Sequence, residues 1–358
     1  MKIGYTIRDM SRLTFKENIF GLLSDGTEVH LYTVSNGSMS FSCSDYGCTV
    51  TSINLPEKNK CSSDILLGYS SLDGFLNSDL CFGTVVGRFA NRIGGASFSL
   101  DGKTYQLDKN DAEINTLHGG FDRYEKKMWT AKRASSKYGL GVRFTRLSPD
   151  GEQGFPGNLT ASVAYFLGED NTITMEYNGV TDKATPVNLT NHAYFNLKGY
   201  NGGPVDRHLL SMDCPSYLEV DKNLIPTGKK ISVSGTAYDF TQPKEMGKDI
   251  SSIQYGYDNC FVLAKPSTDG KPVEFATVKE PVSGRVMHVA TTLPGVQFYT
   301  ANWIDGEKGK QGFVYSKHGA FCLETQFFPD SPNKQDFPSS ILRPEDEYHH
   351  ITQYRFEF

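Results

Sequence analysis

The residue that most needs a chemical explanation is Glu324, which lies within the apolar run FCLETQFFP (residues 321–329). Read as a β-strand, this run places Glu324 on one face together with Cys322 and Gln326. An ionisable carboxylate is costly to bury without a partner. Partial burial also raises a carboxyl pKa toward the range in which a general base is useful. Glu324 is therefore the leading candidate for an acid–base catalyst.

The segment NLTNHAYFNL (residues 188–197) carries a second group of polar side chains. Read as a strand, one of its faces holds Asn188, Thr190, His192, Tyr194 and Asn196. Amide, hydroxyl and imidazole groups in a row suit a cleft that binds polyhydroxylated ligands. The pattern is equally compatible with a surface strand that carries an incidental histidine.

Three other segments hold weaker candidates. GRFANRI (residues 87–93) contains Arg88 and Arg92. Both could be ordinary surface charges, or one of them could direct the planar donors of its guanidinium at a ligand oxygen. LHGG places His118 beside paired glycines, where a histidine is more often structural than functional. GYDN contains Asp258, which by default reads as a turn residue that caps its own backbone.

The elements that position these residues are predicted to be β-strands, because the recurring pattern along the chain is alternation with period two. Residues 159–177 alternate on both sides of a polar turn and predict a hairpin. Residues 96–107 predict a second hairpin, whose turn is Asp101-Gly102, since both residues tolerate positive φ. Long stretches with a period of 3.6 residues are missing.

The 35 glycines and 16 prolines are spread along the chain as turn punctuation. The sequence therefore predicts an all-β fold, mostly antiparallel, with large stacked sheets. We expect a single domain over residues 18–358, preceded by an N-terminal lead-in of residues 1–17.

The overall composition narrows the function by exclusion. The chain has 36 basic and 41 acidic residues, a net charge of −5, and no basic run, which argues against a nucleic-acid or membrane partner. Its seven cysteines are odd in number and form no Cys-x-x-Cys pair, so the sequence predicts a reducing, cytoplasmic location. No stretch fits a signal peptide or a membrane span. No cluster with metal-ligand spacing is visible, and no metal or cofactor is predicted.

Taken together, several of these segments resemble the aldose 1-epimerase (galactose mutarotase) family. The resemblance is carried by GRFANRI, LHGG, VNLTNHAYFNL, GYD, GVQFYTAN, FCLETQ and the closing YHHITQYRF. These strings follow the family's order over most of the chain, and their combination is highly specific. The resemblance implies a large antiparallel β-sandwich, the galactose-mutarotase-like supersandwich.

The resemblance also implies roles for individual residues. Glu324 matches the family's general base and His192 its general acid. Six further positions match residues that hold sugar hydroxyls, namely Asn91, Arg92, His118, Tyr194, Asp258 and Gln297. Two departures stand out. Asn259 occupies a position where the family usually has His, and residues 343–347 read RPEDE in place of a Pro-Gly-Glu pattern.

The implied reaction is the interconversion of the α and β anomers of free aldohexoses such as galactose and glucose. It needs two proton transfers and one bond rotation, for which one acid and one base suffice. We expect a monomer or weak dimer that acts on a monosaccharide.

Three alternatives remain open at this point. A hexose-6-phosphate 1-epimerase of the same fold would need further basic residues around the phosphate. A glycosidase using Asp258 and Glu324 as its carboxylate pair would leave His118 and His192 without roles. A non-catalytic sugar-binding module would have no use for an acid–base pair.

Overall fold

The computed structural model describes residues 12–57 and 62–358, and strands dominate this part of the chain. The α-helix in it, α1, spans Leu72–Leu76. In chain order the strands are β1 (Thr14–Leu22), β2 (Glu28–Ser35), β3 (Ser40–Ser44), β4 (Thr49–Pro56), β5 (Ser62–Asp64), β6 (Val85–Val86), β7 (Arg92–Ile93), β8 (Ser97–Leu100), β9 (Lys103–Gln106), β10 (Thr116–Leu117), β11 (Thr130–Ser136), β12 (Gly139–Ser148), β13 (Leu159–Leu167), β14 (Thr172–Thr181), β15 (Thr185–Pro186), β16 (Thr190–Asn191), β17 (Leu209–Met212), β18 (Ser216–Val220), β19 (Pro226–Ser232), β20 (Lys244–Glu245), β21 (Asp258–Val262), β22 (Val273–Lys279), β23 (Val286–Thr291), β24 (Gly295–Tyr299), β25 (Glu307–Lys308), β26 (Val314–Tyr315), β27 (Cys322–Gln326), β28 (Ile341–Leu342) and β29 (Tyr348–Glu357).

Three large antiparallel sheets organise the described residues. The first has the order β1-β2-β3-β4-β5, and the second has the order β11-β12-β13-β14-β29-β23-β22-β17-β20. The third sheet, β19-β18-β21-β24-β27, carries Glu324 on its edge strand. No helix in the described ranges has the length and apolar character needed to cross a lipid bilayer.

The sheets share one apolar core, which explains why most strands are buried on at least one face. Phe41 of the first sheet, Tyr177 of the second and Phe298 of the third belong to the same cluster and are at most 1% exposed. The strand content and this packing of sheet faces confirm the predicted all-β fold.

Both predicted hairpins are present. Strands β13 and β14 pair from Leu159↔Thr181 to Leu167↔Ile173. Strands β8 and β9 pair around Asp101 and Gly102, whose φ values of 51° and 78° lie in the left-handed region that a two-residue hairpin turn requires.

The first strand runs across the boundary that the sequence predicts between lead-in and domain. Strand β1 begins at Thr14 and pairs with β2, and Phe15 packs against Tyr32 with ring centroids 6.1 Å apart. Residues 14–17 thus belong to a sheet because Phe15 finds an aromatic partner there. Residues 1–11 lie outside the described residues, and the division into lead-in and single domain stays a prediction.

Residues 188–197 do not form the regular strand that their alternation predicts. Only Thr190–Asn191 (β16) is a strand, paired with β6. Isolated bridges join Asn188 to Phe89 and Phe195 to Phe321. The segment therefore runs as extended chain between other elements, and alternation along it does not define one continuous face.

The two ends of the predicted polar face bind backbone groups. Asn188 donates through Nδ2 to the carbonyl oxygen of Ala90, and its Oδ1 accepts from the Phe327 N–H. Asn196 donates through Nδ2 to the carbonyl oxygens of Gly203 and Gly319. These amides satisfy loop backbone that has no ladder partner. Of the five residues on the predicted face, only His192 and Tyr194 line the pocket described below.

Arg88 is a buried structural cation and in this respect differs from Arg92, four positions later in the same motif. Its guanidinium, 2% exposed, donates to four backbone carbonyls and two hydroxyls, those of Ser148, Pro149, Pro156, Gly157 and Thr185. These acceptors belong to the last residue of β12, to the loop between β12 and β13, and to β15. One side chain therefore ties the loop between β12 and β13 to the ends of β12 and β15.

We predict that Arg88→Met lowers the free energy of unfolding by about 3–5 kcal/mol, because it leaves several buried carbonyls without donors. Chemical denaturation followed by circular dichroism measures the change. The matched control is Arg207→Met at an exposed position, which should stay within about 0.5 kcal/mol of wild type. Equal stability of the two variants would contradict the structural role of Arg88.

Candidate functional site

All eight residues predicted for the site line one pocket. They are Asn91, Arg92, His118, His192, Tyr194, Asp258, Gln297 and Glu324. Strands β21, β24 and β27 supply the last three, and β7 supplies Arg92. The residues come from parts of the chain more than 200 positions apart, so the fold alone brings them together.

Glu324 and His192 lie side by side in this pocket. The Oε2 atom of Glu324 is 3.6 Å from Nε2 of His192. Reciprocal backbone hydrogen bonds of 2.8 and 3.0 Å between Phe195 and Phe321 join the two segments that carry them. The side chains of both residues are buried, and Oε2 of Glu324 and Nδ1 of His192 have no hydrogen-bond partner among the described residues. Buried polar atoms without partners indicate a place where a ligand binds.

Burial shifts the pKa values of this pair in opposite directions. Desolvation lowers the pKa of His192 to about 3. It raises the pKa of Glu324 well above its ordinary value, and the charge of Asp258 adds to this shift while Arg92 opposes it. A neutral carboxylic acid beside a neutral imidazole holds as many protons as a carboxylate beside an imidazolium. One proton shift within the pair therefore converts it into a base and a charged acid.

His118 is held in one tautomer by Asn91. The backbone N–H of Asn91 donates to Nδ1 of His118 at 3.2 Å, and the His118 N–H donates to the Asn91 carbonyl. Pairing of β7 with β10 brings these residues together. With Nδ1 an acceptor, the ring proton is on Nε2, and burial holds the pKa of His118 well below its ordinary value. His118 is thus a neutral hydrogen-bond donor.

The remaining polar residues are fixed by one another. Gln297 donates through Nε2 to Oδ1 of Asp258 at 2.6 Å, and Arg92 donates through Nε to Oδ2 of Asp111 at 3.0 Å. Burial raises the pKa of Asp258, and the nearby Arg92 cation lowers it. The buried Oε1 of Gln297 has no partner in the described ranges. The pocket therefore presents donors and acceptors in fixed positions.

Aromatic rings form one wall of the pocket and orient His192. The imidazole stacks on Tyr194 at 4.8 Å with an interplanar angle of 7°, and Tyr299 meets it edge-on at 6.3 Å. Its backbone is held between Gly83 and Thr84 by hydrogen bonds of 2.9 Å. These contacts fix the plane of the ring and the direction of Nε2.

Comparison with known proteins places this chain. The family model for aldose 1-epimerase matches residues 30–355. Galactose mutarotase of Rattus norvegicus is 43% identical over 342 residues, which are 94% of this chain and 97% of that protein. Aldose 1-epimerase of Escherichia coli K12 is 35% identical over 343 residues, with the same shares covered. The chain belongs to the aldose 1-epimerase family. As a member of this family it is a carbohydrate epimerase, an isomerase.

Solved structures agree with the assignment of the fold to the epimerase family. An aldose epimerase homologue from C. elegans superposes with a TM-score of 0.82 at 30% identity, covering 89% of this chain and 96% of that one. Galactose 1-epimerase from Lactobacillus acidophilus gives a TM-score of 0.83 at 24% identity, covering 96% and 99%. These likenesses confirm the predicted galactose-mutarotase-like sandwich.

The pocket of this epimerase also contains residues that the sequence did not single out. They are Asp79, Leu80, Cys81, Leu117, Arg123, Tyr299 and Trp303. Tyr299 lies two positions after Gln297 on β24, so period-two spacing could have revealed it. Trp303 is one of two tryptophans in the chain and is 62% exposed. Asp79 and Arg123 lie in loops whose sequence shows no periodicity or motif that would have revealed them.

The two departures from the family pattern lie away from Glu324 and His192. Asn259 lines an adjoining groove with Asn302 and does not line the pocket that holds Glu324. Arg343 forms an exposed ion pair with Asp101 at 3.1 Å.

Three potential metal ligands come together beside the pocket, although their sequence spacing gives no sign of it. His192, Cys322 and Glu324 each offer one ligand atom, and these atoms lie within 4.8 Å of one another. Cys322 and Glu324 share a face of β27, whereas His192 comes from a distant segment. The prediction that no metal is needed for the reaction stays a prediction.

We predict that the rings of His192 and His118 stay neutral in the free protein from pH 8 to about pH 5, because burial lowers both pKa values. Ring ¹⁵N chemical shifts measure this, with His192→Asn and His118→Asn assigning the signals. The unfolded chain binds these protons and the folded chain does not, so the free energy of unfolding should decrease as the pH falls below about 6.5. An imidazolium signal with a midpoint near that pH would show that solvent reaches these rings, and would contradict the prediction.

Proposed function

We propose that this pocket interconverts the α and β anomers of a free aldohexose, with Glu324 as general base and His192 as general acid. The observation that carries the proposal is the 3.6 Å contact between a buried carboxyl and a buried imidazole, set among fixed hydrogen-bonding groups. The two oxygens that exchange protons in this reaction, O1 and O5, are bonded to the same carbon. A base and an acid that serve them must therefore be neighbours.

The proposed reaction begins with the proton shift that leaves Glu324 ionised and His192 protonated. Glu324 removes the proton of the C1 hydroxyl, the C1–O5 bond breaks, and His192 protonates O5. Rotation about C1–C2 presents the other face of the aldehyde to the O5 hydroxyl. The reverse transfers then close the ring as the other anomer. Acid and base each contribute about 10²–10⁴-fold to such a step.

The remaining residues hold the sugar while C1 turns. Arg92, Asp258 and Gln297 offer donors and acceptors whose orientation is already fixed by mutual contacts. His118 offers its Nε2–H, because its Nδ1 already accepts from Asn91. Acting as an acid would leave this ring an imidazolate, which supports His192 as the acid and His118 as a binding residue.

The charge of the pocket supports a free sugar over a sugar phosphate. The lining contains two arginines, and both have carboxylate partners: Arg92 pairs with Asp111, and Arg123 pairs with Glu125 at 2.5 Å. Asp79, Asp258 and Glu324 add carboxyl groups to the same lining. A bound phosphate would have to compete for cations that are already neutralised. The names of the mammalian relatives support galactose as one substrate.

A cytoplasmic location is also part of the proposal. The described cysteines Cys43, Cys48, Cys81, Cys214, Cys260 and Cys322 are all free thiols. Such thiols are typical of a reducing compartment. A monomer or weak dimer stays a prediction.

Glu324→Gln should lower kcat by about 10²–10⁴-fold with sugar affinity roughly retained, because the amide keeps the shape but accepts no proton. Polarimetry of freshly dissolved α-galactose, corrected for the spontaneous rate, measures the loss. The matched control is Glu169→Gln on the surface, which should keep wild-type kinetics. Near-normal turnover of Glu324→Gln would overturn the mechanism.

The two histidines are separated by the same assay. His192→Asn should lose kcat comparably to Glu324→Gln, and the double variant should be little worse than either, since both groups act on one event. His118→Asn should act mainly on KM, because it removes a binding contact. If His118→Asn lost most of its kcat while His192→Asn stayed active, His118 would be the general acid and His192 the binding residue.

Galactose should be preferred over galactose 6-phosphate by at least about 100-fold in kcat/KM, because the phosphate meets carboxylates and no free cation in the pocket. Equal kcat/KM values would favour the hexose-6-phosphate alternative. Absence of catalysis on both sugars, with binding retained, would favour the sugar-binding module.

A further inference from the structure

Cys322 has no part in the proposed reaction, yet it lies against the groups that do. It precedes Glu324 by two positions on β27 and therefore shares its face. Its side chain is 0% exposed and packs in an apolar cluster with Tyr194 and Tyr299. Its Sγ atom, Nε2 or Nδ1 of His192 and a carboxyl oxygen of Glu324 lie within 4.8 Å of one another.

Thiolate, imidazole and carboxylate are the ligands that zinc binds in proteins. Ligand atoms around a tetrahedral zinc ion lie roughly 3.3–3.7 Å apart, given bond lengths of about 2.0–2.3 Å. The contact of 3.6 Å between His192 and Glu324 already has this length. A zinc site at this place requires side-chain rotations that bring the sulfur of Cys322, now within 4.8 Å, to a similar separation.

Two of the three ligand residues are also accessible from the pocket. Oε2 of Glu324 is buried without a hydrogen-bond partner among the described residues. His192 and Glu324 line the pocket, so an ion can reach them from solvent and keep a fourth, open position toward the sugar site. Three protein ligands with one open position are the usual set for an accessible zinc ion.

We propose that His192, Cys322 and Glu324 form a binding site for Zn²⁺, and that the bound ion inhibits the epimerase by occupying its acid–base pair. The ion binds as the protons of the Cys322 thiol and the Glu324 carboxyl leave to solvent, and no redox step is involved. Metal and sugar compete, because both need His192 and Glu324. The inhibition rests on the proposed function, whereas the binding does not.

The binding test uses Cd²⁺, whose bond to a thiolate absorbs in the ultraviolet. The wild-type protein, dialysed against a chelator, should develop this absorption on titration with Cd²⁺. Cys322→Ala should lose it, and Cys43→Ala, a matched change at a buried thiol on β3, should keep it. The proposal is overturned if wild type shows no thiolate band or if Cys322→Ala retains it. Failure of this test leaves the proposed function untouched.

The inhibition test follows mutarotation of α-galactose in increasing ZnCl₂. Chelator-treated wild type should be active, lose its rate as Zn²⁺ is added with a rising apparent KM, and recover with chelator. Cys322→Ala should keep its basal rate and need at least about tenfold more Zn²⁺ for the same inhibition. Equal sensitivity of the two proteins, or inhibition that galactose does not relieve, would overturn the proposal.

Two further measurements keep the test decisive. Should Cys322→Ala fail to fold, Cys322→Ser replaces it, and saturating galactose should abolish the Cd²⁺–thiolate band of wild type. His288→Gln controls for surface binding, since His288 lies between Glu274 and Glu357 at 3.0 and 3.1 Å. Its Zn²⁺ sensitivity should equal that of wild type, and a loss of inhibition in this variant would move the site to the surface.

Discussion

Two ionisable groups with little access to water face each other in the pocket of this molecule. Removing a carboxyl and an imidazole from water is costly for either as an ion, so burial favours the neutral forms of both. The contact of 3.6 Å between Glu324 and His192 makes the charged forms accessible through a single internal proton shift. Both groups also line the pocket, so one ligand can contact the two together.

Buried cations that bind backbone carbonyls join segments that are distant in the chain. Arg88 fixes the loop that follows β12 by donating to the carbonyls of Pro149 and Pro156. Lys310 donates to the carbonyls of Thr51 and Leu66 and to Asp64, and Arg285 donates to those of Leu55, Pro56 and Leu197. Some of these carbonyls, such as those of Leu66 and Leu197, lie outside the named strands, and buried carbonyls without a ladder partner need such donors. The segment that carries His192 lies among these anchored stretches.

The sequence predicts the fold well where a physical pattern is local. Period-two alternation and Asp101-Gly102 define hairpins, and a carboxylate in an apolar strand marks Glu324. The same reasoning fails where partners are distant. Arg88 and Arg92 look equivalent within one sequence motif. In the folded protein the side chain of Arg88 is buried against backbone carbonyls, whereas that of Arg92 lines the pocket. Asn188 and Asn196 likewise read as ligand-binding groups, because nothing local shows the carbonyls that they satisfy. For Asp79 and Arg123 the sequence offers no signal at all.

The pocket is organised before any sugar arrives, and this bears on how an open-chain intermediate can be kept. Gln297 already binds Asp258, Arg92 binds Asp111 and Asn91 binds His118. Because these orientations are fixed during folding, a sugar that binds does not have to order them, and more of its binding free energy remains for positioning. In the proposed reaction, hydroxyls far from C1 are held firmly while C1 itself contacts only Glu324 and His192. Rotation about C1–C2 requires that the rest of the sugar is held in place while C1 is free to turn.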